Sequence, residues 1–144
     1  MEENQKKTKI GGVLISHGQM AIELLAAAEE IVKEIPHVRA VSIGWHDDVE
    51  AAKSEIERAI KQVSEGRGVL ILTDMFGGTP TNIAAMFLAE NEVEIVTGVN
   101  LPMVIKLATQ NEDSSLNDLA RDIYSAGRDG IYLAGELLMP KKKT

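Results

Sequence analysis

The chain has 144 residues, a formal net charge of −7 at pH 7 and no cysteine. The length fits one compact domain, and the negative charge disfavours broad contact with nucleic acid or anionic lipid. Disulfides and thiolate chemistry are excluded, no apolar run reaches the roughly 20 residues of a membrane helix, and no signal-peptide core opens the sequence, so we expect a cytoplasmic protein.

Both ends of the chain are polar. Residues 1–9 carry charged side chains without periodicity, and residues 139–144 contain a basic run after Pro140. Such segments are typical of solvated tails. We therefore predict one domain over residues 10–138.

The first half of this domain alternates between strand and helix patterns. Residues 10–15 form an apolar run rich in β-branched side chains, which predicts a buried strand. From residue 19 to residue 35 the apolar positions recur at a spacing of three and four, which predicts a helix closed by Pro36. Residues 38–43 predict a second strand, and Asp47 predicts the N-cap of an amphipathic helix that ends before a glycine turn at residues 66–68.

The second half continues the alternation. Residues 69–73 are the most strand-like segment of the chain. After them, Thr79 is expected to cap a helix that begins at Pro80 and runs to about residue 89. The remaining predictions are a strand at residues 93–97, a helix capped by Asn100 with Pro102 in its first turn, a last helix opened by Ser115, and a short fifth strand at residues 131–134.

Strands that alternate with helices imply βαβ units, a parallel sheet and right-handed crossovers. The predicted fold class is α/β, a single domain with helices on both faces of the sheet. In such sheets the ligand and the chemistry lie beyond the carboxyl ends of the strands. The residues that follow those strand ends are therefore the candidates for function.

Two of these candidates form a chemical pair. His17 follows the first strand and Asp74 follows the third. If these two strands are neighbours, the imidazole and the carboxylate face each other. A carboxylate that holds the Nδ1–H group fixes the tautomer and leaves the Nε2 lone pair free as a nucleophile. Such a histidine can accept a phosphoryl group.

The residues around the pair favour an anion. Gly77 and Gly78 allow close approach of backbone N–H groups, and with Thr79 they open a helix whose N-terminus carries partial positive charge. Gly18 is expected to serve the first helix in the same way. These four residues are the predicted phosphate-binding residues, although a glycine pair is equally typical of a turn with positive φ and Asp74 could simply cap that turn.

Several other residues have simpler interpretations. A metal site at His46, Asp47 and Asp48 is disfavoured because a helix cap explains the acids, so we predict no metal. His37, in the loop after Pro36, is expected to be exposed to solvent. The methionines are expected to fill the core or its rim; they are Met75, Met86, Met103 and Met139.

Four sequence blocks in one register carry a family likeness. They are Ser16-His17-Gly18, the segment from Asp74 through Gly-Gly-Thr-Pro80 to Asn82, the segment from Gly98 to Met103, and Gly127-Arg-Asp-Gly130. Over residues 10–134 the chain resembles the IIA component of the mannose family of the bacterial phosphoenolpyruvate-dependent sugar phosphotransferase system.

The resemblance implies a parallel sheet of order 2-1-3-4, with the strand at residues 131–134 exchanged as an antiparallel edge between the subunits of a homodimer. It implies that His17 takes a phosphoryl group on Nε2 from phospho-HPr and delivers it to a separate IIB component, and that Asp74 orients the ring. Gly78 and Thr79 match positions near the phosphate. No cofactor is required, and the membrane is involved only through the permease.

Other functions remain open at this point. The chain could be a regulatory module whose phosphorylation a partner senses, or the phosphotransfer subunit of dihydroxyacetone kinase, although the Gly-Gly-Thr-Pro block favours the mannose type. A receiver domain phosphorylated on Asp74 is a third alternative, but this sequence lacks the acidic pair expected after the first strand and the lysine expected near a late strand end. A flavodoxin-type protein is a fourth alternative, and it would bind flavin. A hydrolase built on Ser16, His17 and Asp74 is disfavoured because adjacent strand residues point to opposite faces.

Overall fold

A computed structural model of the chain describes residues 8–44 and 48–139. Its strands are β1 (Gly11–His17), β2 (Val38–Ile43), β3 (Val69–Thr73) and β4 (Val93–Thr97). Its helices are α1 (Met20–Val32), α2 (Val49–Val63), α3 (Gly78–Ala84), α4 (Leu101–Ala108), α5 (Leu116–Asp129) and α6 (Ala134–Leu138), and a 3-10 turn (Ala85–Phe87) follows α3. No helix in this described part is long and apolar enough to cross a membrane.

The four strands form one parallel sheet in the order β2-β1-β3-β4. This confirms the α/β class and the predicted strand order. Because Ile15 of β1 lies opposite Thr73 of β3, the last residue of β1, His17, lies beside the loop that follows β3. The register therefore brings the two strand ends together.

Two apolar layers hold the helices on the sheet. Alternate residues of β1 and β3 point to opposite faces, and both faces are covered, so these central strands are buried along almost their whole length. One layer packs β1 and β3 against α1, α4 and α5, through residues that include Leu14, Leu72, Leu107 and Ile123. The other packs them against α2 and α3, through residues that include Val13, Ile15, Ile56 and Ile83.

Helices α4 and α5 approach each other closely at two glycines. A Cβ at Gly127 would lie 2.6 Å from Met103 Sδ, and a Cβ at Gly130 would lie 2.8 Å from Pro102 Cγ. Asn100 adds a polar tie, because its Oδ1 accepts from the Met103 N–H and its Nδ2 donates to the Gly127 carbonyl at 3.0 Å. The last two sequence blocks of the family likeness thus meet as one packing contact.

The start of α3 differs from the prediction. The N-cap is Gly77, at φ 86° and ψ 169°, and Gly78 is the first helical residue, so Thr79 is not the cap and Pro80 is not the first position. Backbone of this kind is accessible to glycine, and the glycine pair turns the chain before Thr79 is reached. The helix also ends at Ala84, earlier than expected. The predicted cap of α2 at Asp47 lies outside the described residues, and Asp48 occupies the N-cap position.

His37 and most of the methionines lie where we did not expect them. The imidazole of His37 is buried, with 5% of the residue exposed, and its Nε2 is 3.3 Å from the carbonyl oxygen of Leu107. The turn after Pro36 directs this side chain towards α4 rather than into solvent. Met103 is buried as predicted, but Met75, Met86 and Met139 are exposed and fill no core.

Residues 131–133 pair with no strand of the sheet in the described part of the chain, and Ala134 already begins α6. A fifth strand is therefore not part of the fold of a single chain. Its exchange with a second subunit stays a prediction. The predicted terminal tails fall mainly on residues 1–7 and 140–144, which lie outside the described residues.

Candidate functional site

One carboxylate oxygen holds His17 at two points. Asp74 Oδ2 accepts the main-chain N–H of His17 at 2.9 Å and lies 2.7 Å from the ring Nδ1. The Asp74 side chain is 10% exposed, whereas that of His17 is 50% exposed. The carboxylate is thus a partly buried support for a ring that faces solvent.

The protonation of the pair follows from these contacts. Burial alone raises the pKa of the Asp74 carboxyl, but the hydrogen bonds from the His17 main chain and ring and the charge of the ring outweigh burial and lower that pKa below its usual 3.8. Asp74 is therefore ionised at neutral pH and acts as an acceptor. The shared proton lies on Nδ1, which leaves the lone pair of His17 on Nε2.

The beginning of α3 lies against this free nitrogen. A Cβ at Gly78 would be 3.2 Å from His17 Cε1 and 3.3 Å from Nε2, so only a residue without a side chain leaves the ring undisturbed. The N–H groups in the first turn of a helix have no partner within the helix. Of the three predicted residues at this helix start, Gly78 is the one that the structure places against the ring, while Gly77 is the N-cap and Thr79 is exposed.

Gly18 behaves differently from these three residues. Its N–H donates to the carbonyl of Ile43 at 3.1 Å, so this amide is engaged with the end of β2. The φ of Gly18 is +56°, and its conformation turns the chain from β1 into α1. Its contribution near the site is this turn.

The structure adds buried hydroxyl groups that the sequence analysis missed. Ser16 is fully buried, and its Oγ accepts the Ala21 N–H at 2.7 Å, which supports the turn after His17. Because the Ser16 hydroxyl is buried and already hydrogen-bonded, it is not placed to act as the nucleophile of a hydrolase. Thr73 and Thr81 lie beneath the loop that carries Asp74. Only the position of Thr73 at a strand end could have indicated this network from sequence.

Among the described residues, no group of three or more His, Asp or Glu side chains could hold a metal ion. His46 and Asp47 lie outside that part. An open cavity of about 710 Å³ runs along β4 and reaches the loop after β3 at Phe76; His17 is not among its lining residues. It is lined by apolar and polar side chains that include Phe76, Leu88, Ile95, Arg121 and Tyr124.

Solved structures with the same architecture include IIA proteins. The mannose/sorbose-specific IIA subunit of the phosphotransferase system from Enterococcus faecalis aligns with a TM-score of 0.79 and 28% identity, covering 94% of this chain and 100% of that one. The IIA protein associated with the fucose utilization operon of Streptococcus pneumoniae aligns with a TM-score of 0.80 and 26% identity, covering 93% and 99%. This likeness places the chain among α/β proteins of the phosphotransferase system.

Sequence comparison gives the family. The EIIA-man family, described as the PTS system fructose IIA component, matches residues 11–124. The fructose-specific EIIA component of Bacillus subtilis is 29% identical over 130 residues, which is 90% of this chain and 89% of that protein. The mannose-specific EIIAB component of Escherichia coli is 34% identical over 126 residues, which is 83% of this chain but 38% of the longer relative. The chain belongs to the EIIA-man family of the sugar phosphotransferase system.

Proposed function

We propose that the protein is a phosphocarrier of the cytoplasm that accepts a phosphoryl group from phospho-HPr on His17 and passes it to a IIB component for sugar uptake and phosphorylation. The observation that carries this proposal is the 2.7 Å contact of Asp74 Oδ2 with Nδ1 of a half-exposed His17. It supports a ring whose Nε2 is both nucleophilic and open to a partner protein.

In the proposed step, the Nε2 lone pair of His17 attacks phosphorus in line with the phosphorus–nitrogen bond of the donor. The new bond to Nε2 forms as the old bond breaks, and the donor imidazole leaves as a neutral ring because its other nitrogen already carries a proton. The phosphorylated ring of His17 is cationic, with its proton still on Nδ1. The ionised carboxylate of Asp74 stabilises that charge. The second transfer reverses these roles.

The phosphoryl oxygens need donors close to Nε2. Gly78 is the position in contact with that side of the ring, and the N–H groups of Gly77, Gly78 and Thr79 are the proposed donors, joined by the Thr79 hydroxyl. Gly18 contributes only the turn, because its N–H is bonded to Ile43. Neutral donors suit a carrier, which must hold the group without trapping it.

The proposal is tested by incubating the protein with phosphoenolpyruvate, enzyme I and HPr. We expect an acid-labile, base-stable phosphoryl group on His17, no label in His17→Ala and slower labelling in Asp74→Asn, because the amide holds the ring without the charge. His37→Gln is the matched histidine control and should label normally, because His37 packs against α4, where its ring is hydrogen-bonded to the Leu107 carbonyl. Label that persists in His17→Ala would refute the proposal.

A second incubation separates a carrier from a sensor. The labelled protein is mixed with purified IIB components of the mannose family. A carrier loses its label to one of them, whereas a regulatory module keeps it.

We further propose a homodimer in which residues 131–134 join the sheet of a second copy as an antiparallel edge strand. β4 is an edge strand with an open cavity along it. The C-terminal segment carries exposed apolar side chains that this chain does not cover, namely Ile131, Tyr132, Leu133, Leu137 and Leu138. Exposed apolar surface of this kind marks an interface, and an open strand edge accepts another strand.

Sedimentation equilibrium tests the dimer. We expect a mass twice the 15.6 kDa of one chain. Tyr132→Pro should yield a folded monomer, because proline removes a donor needed for strand pairing. A monomeric wild-type chain would contradict this proposal and leave the phosphocarrier proposal intact.

A further inference from the structure

Two buried hydroxyl groups lie beneath the loop that joins β3 to α3. Thr73 is the last residue of β3 and is fully buried, and Thr81 is the fourth residue of α3, with 7% of the residue exposed. Their Oγ1 atoms are 2.8 Å apart, and Thr81 Oγ1 lies 2.5 Å from the main-chain oxygen of Met75. The Oγ1 of Thr73 is 3.5 Å from the same oxygen.

The number of protons on the two hydroxyl groups determines the direction of these hydrogen bonds. A hydroxyl group has one proton to donate, and the carbonyl of Met75 can only accept. Both contacts of Thr81 are satisfied when Thr81 donates to Met75 and Thr73 donates to Thr81. The result is a short chain of hydrogen bonds that runs from the end of β3 to the loop through the first turns of α3.

The loop has little else to hold it. Met75 and Phe76 are 53% and 83% exposed, so their side chains give the loop little packing. Gly77 has no side chain. Among the described residues, the side-chain hydrogen bonds that tie this loop to neighbouring elements are those of Asp74 with His17 and that of Thr81 with the Met75 carbonyl. Met75 directly follows Asp74 in the chain, so a hydrogen bond to the Met75 carbonyl holds the backbone next to the carboxylate that contacts His17.

We propose that Thr81, with Thr73 behind it, is a positioning residue for His17. By holding the Met75 carbonyl, Thr81 fixes the direction in which the chain leaves Asp74, and so fixes the carboxylate that selects the Nδ1–H tautomer. The same loop delivers Gly78 to the ring. The effect on phosphoryl transfer rests on the proposed function above, but the effect on the tautomer of His17 does not.

The test compares Thr81→Val, which keeps the shape of the side chain and removes the hydroxyl, with Thr81→Ser, which keeps the hydroxyl. Nitrogen NMR of the imidazole in the unphosphorylated protein reports the tautomer of His17. We expect one Nδ1–H form in the wild type and in Thr81→Ser, and a mixture of tautomers in Thr81→Val. Transfer from phospho-HPr should lose about tenfold in kcat with little change in KM, since a carboxylate displaced by a fraction of an ångström misplaces the ring without touching the docking surface.

Thr109→Val is the matched control. The Thr109 hydroxyl donates to Ile105 within α4 at 2.8 Å, away from the site, so this variant should keep the His17 spectrum and the transfer rate of the wild type. Thr73→Val removes only the outer donor and should shift the same signals less, which keeps the test open if Thr81→Val does not fold.

A wild-type His17 spectrum in folded Thr81→Val would overturn the proposal. A His17 spectrum in Thr81→Ser that matches the one in Thr81→Val would also overturn it, because the loss of the methyl group rather than of the hydroxyl would then explain the effect. A wild-type protein that takes no phosphoryl group would refute the proposed function, and the spectra would still decide the role of Thr81.

Discussion

The contact between Gly78 and the ring of His17 leads to a quantitative prediction for Gly78→Ala. The new Cβ would lie 3.3 Å from Nε2, inside the about 3.5–4.0 Å of an unstrained carbon contact. The ring must then shift by a few tenths of an ångström. Because a displacement of about 1 Å can cost 100-fold in rate, we expect transfer to His17 to slow about tenfold, or about 1.4 kcal/mol in activation free energy.

The same substitution also strains the backbone. Gly78 has a φ of +85°, and an L-residue there costs about 1–3 kcal/mol of stability. Gly66→Ala is the matched control, because Gly66 has a φ of +88° and its Cβ would meet no atom within 4 Å. Its position between α2 and β3 is remote from His17. It should lose similar stability and keep the wild-type transfer rate.

The assay is rapid-quench phosphorylation by phospho-HPr at a temperature where both variants are folded, with urea denaturation to measure their stability. Equal transfer rates in Gly78→Ala and Gly66→Ala would refute the reasoning. Such a result would mean that the space beside Nε2 is not used in the reaction.

Further predictions concern pH and packing. Burial lowers the pKa of the His37 imidazole below 6.5, only partly opposed by its hydrogen bond to Leu107, so protonation favours the unfolded chain. The free energy of unfolding should therefore fall as the pH drops below 6.5, and His37→Gln should remove this dependence in urea denaturation across that range. The pKa of Asp74 is lowered, so the contribution of its carboxylate to stability is present above pH 3.8 and is lost as the pH falls through the folded-state pKa. Acid denaturation of Asp74→Asn should lack this loss. An acid-denaturation profile identical to that of the wild type would contradict the prediction. Gly127→Ala should cost about 1–3 kcal/mol in thermal denaturation through overpacking against Met103, whereas Gly135→Ala, with no atom within 4 Å of its Cβ, should not.

The strands were the most predictable part of the fold. β2, β3 and β4 begin and end at the predicted residues, because each is a short segment rich in β-branched side chains and bounded by glycine or polar residues. Asn100 and Ser115 also cap their helices as predicted, since each side chain accepts an N–H three residues on. These signals are local, so they can be read from neighbouring residues.

The errors arose where tertiary contacts decide. Thr79 and Pro80 satisfy the rules for a helix start, but the positive φ of Gly77 and Gly78 starts α3 earlier. His37 is buried because α4, 70 residues further on, supplies a carbonyl for it. The pairing of His17 with Asp74 could be predicted once β1 and β3 were taken as neighbours. Sequence spacing does not show side-chain geometry. It therefore could not predict that Asp74 contacts both the main chain and the ring of His17, or that the hydroxyls of Thr73 and Thr81 form a network.

The double contact of Asp74 Oδ2 has a consequence for reversibility. Its bond to the ring changes strength when the imidazole gains or loses positive charge, but its bond to the peptide N–H of His17 does not. In the proposed transfer, the carboxylate therefore keeps its main-chain contact with His17 whether or not the ring carries positive charge. On the proposed function, we therefore expect the phosphorylated and unphosphorylated forms to share the backbone around His17, so that a partner protein distinguishes them by the phosphoryl group itself.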